Sequence, residues 1–453
     1  MTLKDLDPRR LVPATSNGRR VSVLAAAALV MGTGAFVVTQ TGAAPEPPAP
    51  TPVPVEGATV ATSVAAEVTE PAPAAVEVLP EPAGLEVRVE GPRIEPVARP
   101  EHVRGLYLNA WAAGSSRKLA KLIDIAQRTE VNSFVIDVKE GGELSYRSSI
   151  PLVRQVEADR RHIADPRALL QRLKDAGIYP IARIVVFKDR TLAEHRPDWA
   201  IQREDGSIWV DRDGHTWVDS FNRHVWDYNI AIAREALELG FAEVQWDYVR
   251  FPDTPPSLMA SARFPAQAGR RKDDAIREFL LYSREQLASY GVPVTADVFG
   301  LAVSVRGDMG IGQHWEKMMD ATDVLLPMVY PSHFARGSYG IAHPNAAPYE
   351  TVKKAMEYAV ERTPTSAGHA TIRPWLQDFT LGPPRYDASR VRAQIQAVYD
   401  AGLSEWVLWN PGSNYTVAAL ADAAGNPPVL PDPAPVRTVA APPGERLLGV
   451  PID

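Results

Sequence analysis

The chain has 453 residues, of which 45% are hydrophobic and 23% charged, a composition that predicts a sizeable folded core and excludes a wholly disordered protein. Because the sequence contains no cysteine, it excludes disulfide scaffolds, thiolate metal sites and cysteine nucleophiles. A net charge of −7 does not provide the basic face that nucleic-acid binding usually needs, so we expect no nucleic-acid partner.

The N-terminal region begins with a polar, basic segment and continues with an uncharged one. Residues 1–20 end in Arg19 and Arg20, and residues 21–38 carry no charged side chain. This length is close to the lower limit for a helix that spans a membrane. Arginines on its N-terminal side predict a cytoplasmic N-terminus and an extracytoplasmic remainder, in the periplasm or at the cell surface. We therefore expect a transmembrane signal anchor at 21–38, with a cleaved secretion signal as the alternative.

Proline-rich segments flank the central part of the chain, at residues 39–101 and 426–453. Segments of this composition cannot bury enough apolar surface to become ordered, and proline favours the extended polyproline II conformation. We therefore predict a disordered, semi-rigid linker at 39–101 and a disordered tail at 426–453. One folded domain is expected between them, at 102–425.

Short apolar runs alternate with amphipathic segments throughout residues 102–425. Strands are predicted at 103–108, 133–138, 179–186, 243–248, 292–298, 323–330, 371–376 and 405–409. Helices are predicted at 116–130, 166–176, 225–239, 273–290, 312–321, 349–362, 388–401 and 414–424. Eight strand–helix units in this length are typical of a (β/α)8 TIM barrel. A doubly wound open sheet is the alternative, although the first turn lacks the glycine-rich loop that such folds normally carry.

Polar and aromatic side chains recur near the C-terminal ends of the predicted strands. Side chains alternate in direction along a strand, so Val135, Asp137 and Lys139 should share one face, as should Gln245 and Asp247. The C-terminal strand ends form the mouth of a TIM barrel, where its active site lies. We expect the mouth to be lined by Asp137, Lys139, Gln245, Asp247, Arg250, Asp297, Tyr330, Arg373, Trp375, Gln377, Trp409 and Asn410.

The residue types at this mouth favour carbohydrate chemistry. The mouth offers the carboxylates Asp137, Asp247 and Asp297, and paired carboxylates cleave glycosidic bonds, one as the acid and the other as the nucleophile or base. Tryptophan and tyrosine faces offer sugar rings an apolar platform. No G-x-S-x-G motif is present, which disfavours acyl transfer. The histidines show no metal-ligand spacing, so we expect neither a metal nor a cofactor.

Six segments of this region resemble a known bacterial family, the "Putative glycosyl hydrolase domain" of the TIM-barrel glycosidase clan. They are VRGLYLNAW (103–111), VIDVKE (135–140), WDYNIAIAREALELGFAEVQWDYVRFP (226–252), TADVFG (295–300), LPMVYPSHF (326–334) and IRPWLQDF (372–379). The resemblance extends over residues 102–420 and implies a TIM-barrel hydrolase that cleaves a poly- or oligosaccharide.

The resemblance also implies roles for particular residues. The aspartate of the family's D-Y-x-R-F-P block falls on Asp247, which implies the nucleophile. The aspartate of its A-D-V-F-G block falls on Asp297, which implies the acid/base. The tyrosine and histidine of M-V-Y-P-S-H fall on Tyr330 and His333, which implies contacts with the sugar. The chain departs from the family pattern in KEGGELSY after the second strand and in WNPGSNY after the eighth.

Several interactions at the mouth are left open by the sequence. Arg373 is expected to neutralise a mouth carboxylate, and Asp137 with Lys139 forms either an ion pair in the lumen or a substrate clamp. Asp247 is expected to be catalytic, with a structural ion pair to Arg250 as the alternative. A non-catalytic carbohydrate-binding barrel that attaches the cell envelope to a glycan is the alternative function. The sugar, the linkage and the oligomeric state are not specified.

Overall fold

The computed structural model describes residues 83–363 and 370–430. Its strands are β1 Arg104–Leu108, β2 Ser133–Glu140, β3 Glu143–Leu144, β4 Tyr179–Val185, β5 Glu243–Asp247, β6 Val294–Phe299, β7 Val324–Val329, β8 Thr371–Ile372, β9 Trp375–Gln377 and β10 Trp406–Trp409. Its α-helices are α1 Ala110–Gly114, α2 Ser116–Arg128, α3 Pro151–Gln155, α4 Pro166–Asp175, α5 Arg190–His195, α6 Arg223–Leu239, α7 Pro256–Met259, α8 Lys272–Leu287, α9 Trp315–Ala321, α10 Pro348–Arg362 and α11 Ala388–Asp400.

The strands form a closed parallel barrel. Around it they follow the order β1, β2, β4, β5, β6, β7, β9 and β10, and β1 closes the ring by pairing with both β2 and β10. Strand β8 also pairs with β7, so β8 and β9 share one position on either side of Arg373 and Pro374. The predicted (β/α)8 TIM barrel is therefore confirmed, and the doubly wound alternative is wrong.

The strands are apolar because both of their faces are covered. All seven residues of β4 are buried, as are seven of the eight in β2. Phe134 and Ile136 of β2 belong to the core between the barrel and its helices, and the indole N–H of Trp246 donates to the hydroxyl of Ser283 on α8. Strands buried on both sides are expected in a barrel with an outer ring of helices. The inner faces remain free to carry polar groups into the lumen.

Most of the predicted helices are present, with ends that differ by a few residues. The helix predicted at 414–424 is wrong, because only a 3-10 turn at Val417–Ala419 forms there. The carboxylate of Asp378 accepts hydrogen bonds from both the backbone N–H and the hydroxyl of Thr416, which replaces helical hydrogen bonding at this point. The short helices α1, α3, α5 and α7 were not predicted.

The end of the predicted linker packs on the barrel. Four partly buried apolar side chains of this segment pack against the core: Leu85, Val87, Val89 and Ile94. The ordered domain therefore begins before residue 102.

No helix within residues 83–363 and 370–430 is long and apolar enough to cross a membrane. The predicted anchor at 21–38 and the basic segment at 1–20 lie outside the described residues, as do most of the linker and the tail. The anchor and the extracytoplasmic location stay predictions.

Candidate active site

Four neighbouring strands bring charged side chains together inside the mouth of the barrel. Asp137 of β2 lies beside Arg183 of β4 in the strand register, and Val185 of β4 lies beside Asp247 of β5. Asp297 follows on β6. Asp137, Arg183, Asp247 and Asp297 are all buried. The structure therefore brings together three of the predicted carboxylates and adds an arginine that was not predicted.

Arg183 lies at the centre of this cluster. Its Nε and Nη2 lie 3.0 and 2.5 Å from Oδ2 of Asp247, and its Nη1 lies 2.5 Å from Oδ1 of Asp137. The same Nη1 lies 2.6 Å from Oε2 of the half-buried Glu140. A planar guanidinium with five N–H groups suits this simultaneous binding of several carboxylates. The alternative ion pair between Asp247 and Arg250 is not formed.

The carboxylate of Asp247 is fixed by donors on both oxygens. Oδ2 accepts the two bonds from Arg183, and Oδ1 accepts a hydrogen bond from the backbone N–H of Tyr248 at 2.5 Å. Tyr248 has a φ of +49°, a left-handed conformation that bulky residues rarely adopt. Such strained residues cluster at functional sites. Here the turn aims a backbone N–H at the carboxylate that precedes it.

Asp297 lies in a different environment. Nε2 of Gln245 lies 2.9 and 3.1 Å from its two carboxyl oxygens, and Nε1 of Trp375 lies 2.7 Å from Oδ1. Burial, and then the negative charge of Asp247, raises the pKa of Asp297 well above its usual range. Gln245 and Trp375, both predicted to line the mouth, orient this carboxyl group. Their N–H groups lower its pKa, but burial and the charge of Asp247 outweigh them.

Asp137 is the third buried carboxyl group. Oη of Tyr107 donates to Oδ2 of Asp137 at 2.5 Å, opposite the bond from Arg183. Burial raises the pKa of Asp137 to about 7, although the Arg183 guanidinium acts in the opposite direction. Tyr107, from β1, was not predicted as part of the site.

Aromatic rings form the other side of the mouth. The rings of Tyr330 and Trp409 stack with centroids 5.5 Å apart, and the ring of Phe379 meets Trp409 edge-on at 5.0 Å. His333 lies 5.4 Å from Tyr330, and burial lowers the pKa of its imidazole. The structure groups Tyr330, His333 and Trp409 in an aromatic wall that Phe379 completes. The expected contacts of these rings with a sugar stay predictions.

Gln377 and Asn410 hold the loops behind this wall. The side-chain oxygen of Gln377 accepts from the backbone N–H of Ser332, and its amide donates to the carbonyl of Phe379. The amide of Asn410 donates to the carbonyl of Asp378. Both residues lie at the predicted mouth, where they position the aromatic wall.

The comparison with protein families decides the identity of this barrel. Residues 105–415 match the model of the family described as "Putative glycosyl hydrolase domain". The chain belongs to this glycosyl hydrolase family. The predicted membership is therefore confirmed.

Three solved structures illustrate what the chain is similar to. A hypothetical protein from Ruminiclostridium thermocellum ATCC 27405 is 40% identical over 43% of this chain and 97% of its own, with a TM-score of 0.40. The PgaB (BpsB) glycoside hydrolase domain from Bordetella bronchiseptica is 12% identical over 71% and 99%, with a TM-score of 0.49. The glycoside hydrolase domain of PelA from Pseudomonas aeruginosa is 13% identical over 70% and 97%, with a TM-score of 0.40. No curated protein matches the chain.

The stability of this family member should depend on pH through Asp137. Because the folded-state pKa of Asp137 is raised from 3.8 to about 7, its contribution to stability is present at low pH and is lost as pH rises through this interval. We expect the free energy of unfolding of Asp137→Asn, measured by urea denaturation, to increase relative to that of the wild type from about pH 4 to about pH 7. Above about pH 7 the difference between the two proteins should stay constant. The Asp124→Asn control should show a constant difference over this interval, because the hydrogen bond from Arg128 lowers the pKa of Asp124 and its titration in both states is complete below it. A difference for Asp137→Asn that stays constant over this interval would contradict the expectation.

Lys139 does not face the mouth of this glycosyl hydrolase barrel. A bulge interrupts the register between Asp137 and Lys139, so the two side chains no longer share a face. The ammonium group of Lys139 is fully buried, 2.6 Å from a carboxylate oxygen of Asp189 and 2.8 Å from the side-chain oxygen of Asn229 on α6. The predicted shared face and the ion pair with Asp137 are therefore wrong.

Arg373 lies at the opposite end of the lumen. Its Nη1 lies 2.6 Å from Oε1 of Glu243, the first residue of β5, and its Nε lies 2.9 Å from Oε2 of Glu405, which precedes β10. The prediction that Arg373 neutralises a mouth carboxylate is wrong. Alternation along the strand gave the correct face, but Arg373 comes two residues before Trp375 and so lies deeper in the barrel.

A second group of acidic residues lies on a hairpin between β4 and α6. Ligand atoms of Asp211, Asp213 and His215 all lie within 4.8 Å of one another. The carboxylate of Asp211 already accepts hydrogen bonds from the backbone N–H groups of Asp213 and His215 and from the indole of Trp217. These bonds account for the arrangement as a turn of the hairpin.

Proposed function

We propose that this chain is a glycoside hydrolase that cleaves a poly- or oligosaccharide, with Asp247 as the nucleophile and Asp297 as the acid/base. The observation that carries the proposal is the contrast between these two carboxyl groups on neighbouring strands. Asp247 is ion-paired with Arg183, whereas burial and the charge of Asp247 raise the pKa of Asp297. When one carboxyl group of a pair is ion-paired and the other has a raised pKa, the first is suited to act as the nucleophile and the second as the acid. We also propose, from residues 1–38, that the enzyme acts outside the cytoplasm on a membrane anchor.

The proposed reaction has two steps. First, a carboxylate oxygen of Asp247 forms a bond to the anomeric carbon while the glycosidic C–O bond breaks, and Asp297 gives its proton to the leaving oxygen. Asp297 then takes a proton from water, and the water oxygen displaces Asp247 from the anomeric carbon. The carboxylate of Asp247 and the protonated Asp297 are restored, so the protons balance over the cycle.

The surrounding residues support these roles. Arg183 and the backbone N–H of Tyr248 hold the Asp247 carboxylate in one orientation. Gln245 and Trp375 do the same for Asp297. Preorganised groups of this kind avoid the cost of reorientation during the reaction. The aromatic wall across the mouth gives the apolar face of a sugar ring a surface to pack against.

A second candidate function is non-catalytic glycan binding. The observation that favours it is that Asp247 and Asp297 are both buried and fully engaged with neighbouring side chains. In such a barrel the carboxylates would stabilise the lumen, and the aromatic wall would bind the glycan.

Release of reducing ends from a broad polysaccharide panel tests the proposal. The wild-type protein is expected to release reducing ends from at least one polysaccharide, and Asp247→Asn is expected to release none above background, because it lacks the nucleophile. The Asp124→Asn variant, changed on the exposed face of α2, serves as the matched control and should keep wild-type activity. Activity that survives in Asp247→Asn would remove Asp247 from its role. Binding of a glycan without any cleavage by the wild type would favour the second candidate.

A further inference from the structure

Two cations at the mouth have no carboxylate partner. Lys188 lies three residues beyond β4, and Arg250 lies three residues beyond β5, so both follow neighbouring strands at the C-terminal end of the barrel. Within residues 83–363 and 370–430, no carboxylate oxygen lies within 4.0 Å of either cation. By contrast, Arg183 and Arg373, the arginines inside the lumen, each bind two or more carboxylates.

Arg250 is buried and has unused hydrogen-bonding capacity. Its only hydrogen bond to the described protein runs from Nη1 to the backbone carbonyl of Phe251 at 3.0 Å. Its guanidinium lies 5.0 Å from the ring of Trp217 and 4.6 Å from that of Phe299. These rings fix the side chain without occupying its remaining N–H groups. A guanidinium presents those N–H groups in a fork that matches an oxyanion.

Lys188 lies beside the same aromatic ring as Arg250. The ammonium of Lys188 is 5.1 Å from the centroid of Tyr248, and the guanidinium of Arg250 is 4.9 Å from it. Burial, followed by the charge of Arg250, lowers the pKa of Lys188. The two positive charges therefore repel each other, and a bound anion would relieve the repulsion.

The acidic residues in this neighbourhood do not neutralise the pair. Asp253 and Asp211 influence Arg250 electrostatically, and Asp211, Glu140 and Asp213 influence Lys188. None of these carboxylates approaches either cation within the distance of an ion pair, and Glu140 is paired with Arg183. Asp211 is engaged by the hairpin that contains it, and Asp247 is engaged by Arg183. An oxyanion bound by Lys188 and Arg250 would therefore give both cations the ion-pair partner that the described residues do not provide.

We propose that Lys188 and Arg250 bind a carboxylate carried by a sugar of the substrate, so that this site takes an acidic glycan. The proposal rests on the proposed function for the location of the substrate, since the two cations follow β4 and β5, the neighbouring strands that carry Arg183 and Asp247. The aromatic wall binds the apolar faces of the sugars, while the two cations select their charge.

Calorimetric titration with uronic-acid oligosaccharides tests this assignment. The probes are oligogalacturonate, oligoalginate and hyaluronan fragments, each paired with its carboxyl-reduced, neutral counterpart. At least one acidic probe is expected to bind the wild-type protein about tenfold or more tightly than its neutral counterpart, and added salt should weaken that binding. Lys188→Gln and Arg250→Gln should each lower the affinity for the acidic probe by about 10- to 100-fold and leave the affinity for the neutral probe unchanged.

Two further variants keep the test decisive. Arg250→Lys retains the positive charge and should bind more tightly than Arg250→Gln, and Lys174→Gln, which removes an exposed charge from α4, should bind as the wild type does. Lys188 is half-buried, so Lys188→Gln is expected to stay folded, as a wild-type circular dichroism spectrum would verify. The assignment is overturned if no acidic probe binds more tightly than its neutral counterpart, or if Lys188→Gln binds the acidic probe as the wild type does.

Measurements of binding test the acidic-glycan assignment, and measurements of cleavage test the proposed function, so the two can fail independently. A protein that binds an acidic probe through Lys188 and Arg250 but cleaves no glycan keeps the present assignment and removes the hydrolase. A protein that cleaves only neutral glycans keeps the hydrolase and removes the acidic-glycan assignment.

Discussion

Asp247→Asn is expected to lower kcat by about 10⁴-fold or more, both on the natural glycan and on an aryl glycoside with a good leaving group. The amide cannot form the bond to the anomeric carbon, and no leaving group compensates for a missing nucleophile. It also leaves two N–H donors of Arg183 without the carboxylate that they bind in the wild type. Steady-state kinetics on both substrates measure the loss.

Asp297→Asn provides the matched comparison. On the natural glycan its kcat is expected to fall by about 10²- to 10⁴-fold, because the leaving oxygen is no longer protonated. On an aryl glycoside whose leaving group departs without a proton, the formation of the covalent intermediate should be nearly as fast as in the wild type. Equal losses for Asp297→Asn on the two substrates would contradict its role as the acid.

The configuration of the product supplies an independent measurement. Two displacements at the anomeric carbon retain its configuration, so proton NMR of the first-formed sugar should show the same anomer as the substrate. Inversion would mean that water attacks directly, and it would leave Asp247 as a base.

Arg373→Met is expected to lower the free energy of unfolding by about 3–5 kcal/mol, the usual cost of removing one partner from a buried ion pair. Methionine matches the aliphatic part of the arginine side chain but leaves the buried Glu243 and Glu405 without the guanidinium that joins them. Glu405 keeps its ion pair with Arg99, whereas Glu243 loses the arginine with which it is paired. Urea denaturation of the variant and the wild type measures the difference.

Two controls separate this effect from ordinary surface changes. The double variant Arg373→Met/Glu243→Gln should be less destabilised than Arg373→Met, because it no longer buries an unpaired charge at Glu243. Arg128→Met, which removes an exposed pair with Asp124 on α2, should change the free energy of unfolding far less than Arg373→Met does. If Arg373→Met were no more destabilised than Arg128→Met, the ion-pair argument would fail.

The barrel was predictable because its strands are continuous apolar runs of suitable length. Alternation along those strands also placed Asp137, Gln245, Asp247 and Asp297 correctly in the lumen. It failed for Lys139 because the register is interrupted by one residue just before it. A bulge of this kind depends on pairing with a neighbouring strand, so a single-strand pattern does not reveal it.

Arg183 and Tyr107 show what pattern reading missed. Arg183 is the only charged residue in the apolar run YPIARIV, which was a usable signal for a lumen position. Its importance comes from the register that places it between Asp137 and Asp247, and that register depends on three strands at once. Tyr107 gave no signal, because a tyrosine in a buried strand is common in any core.

The ion pairs at the base of the lumen leave the barrel with one open end. Glu243, Arg373 and Glu405 close the barrel at the end opposite the mouth, and Arg99 covers them from below. No chain of sugars can thread through such a barrel. Under the proposed function, a long glycan would lie across the opening, and both fragments would leave on the side from which the substrate came in.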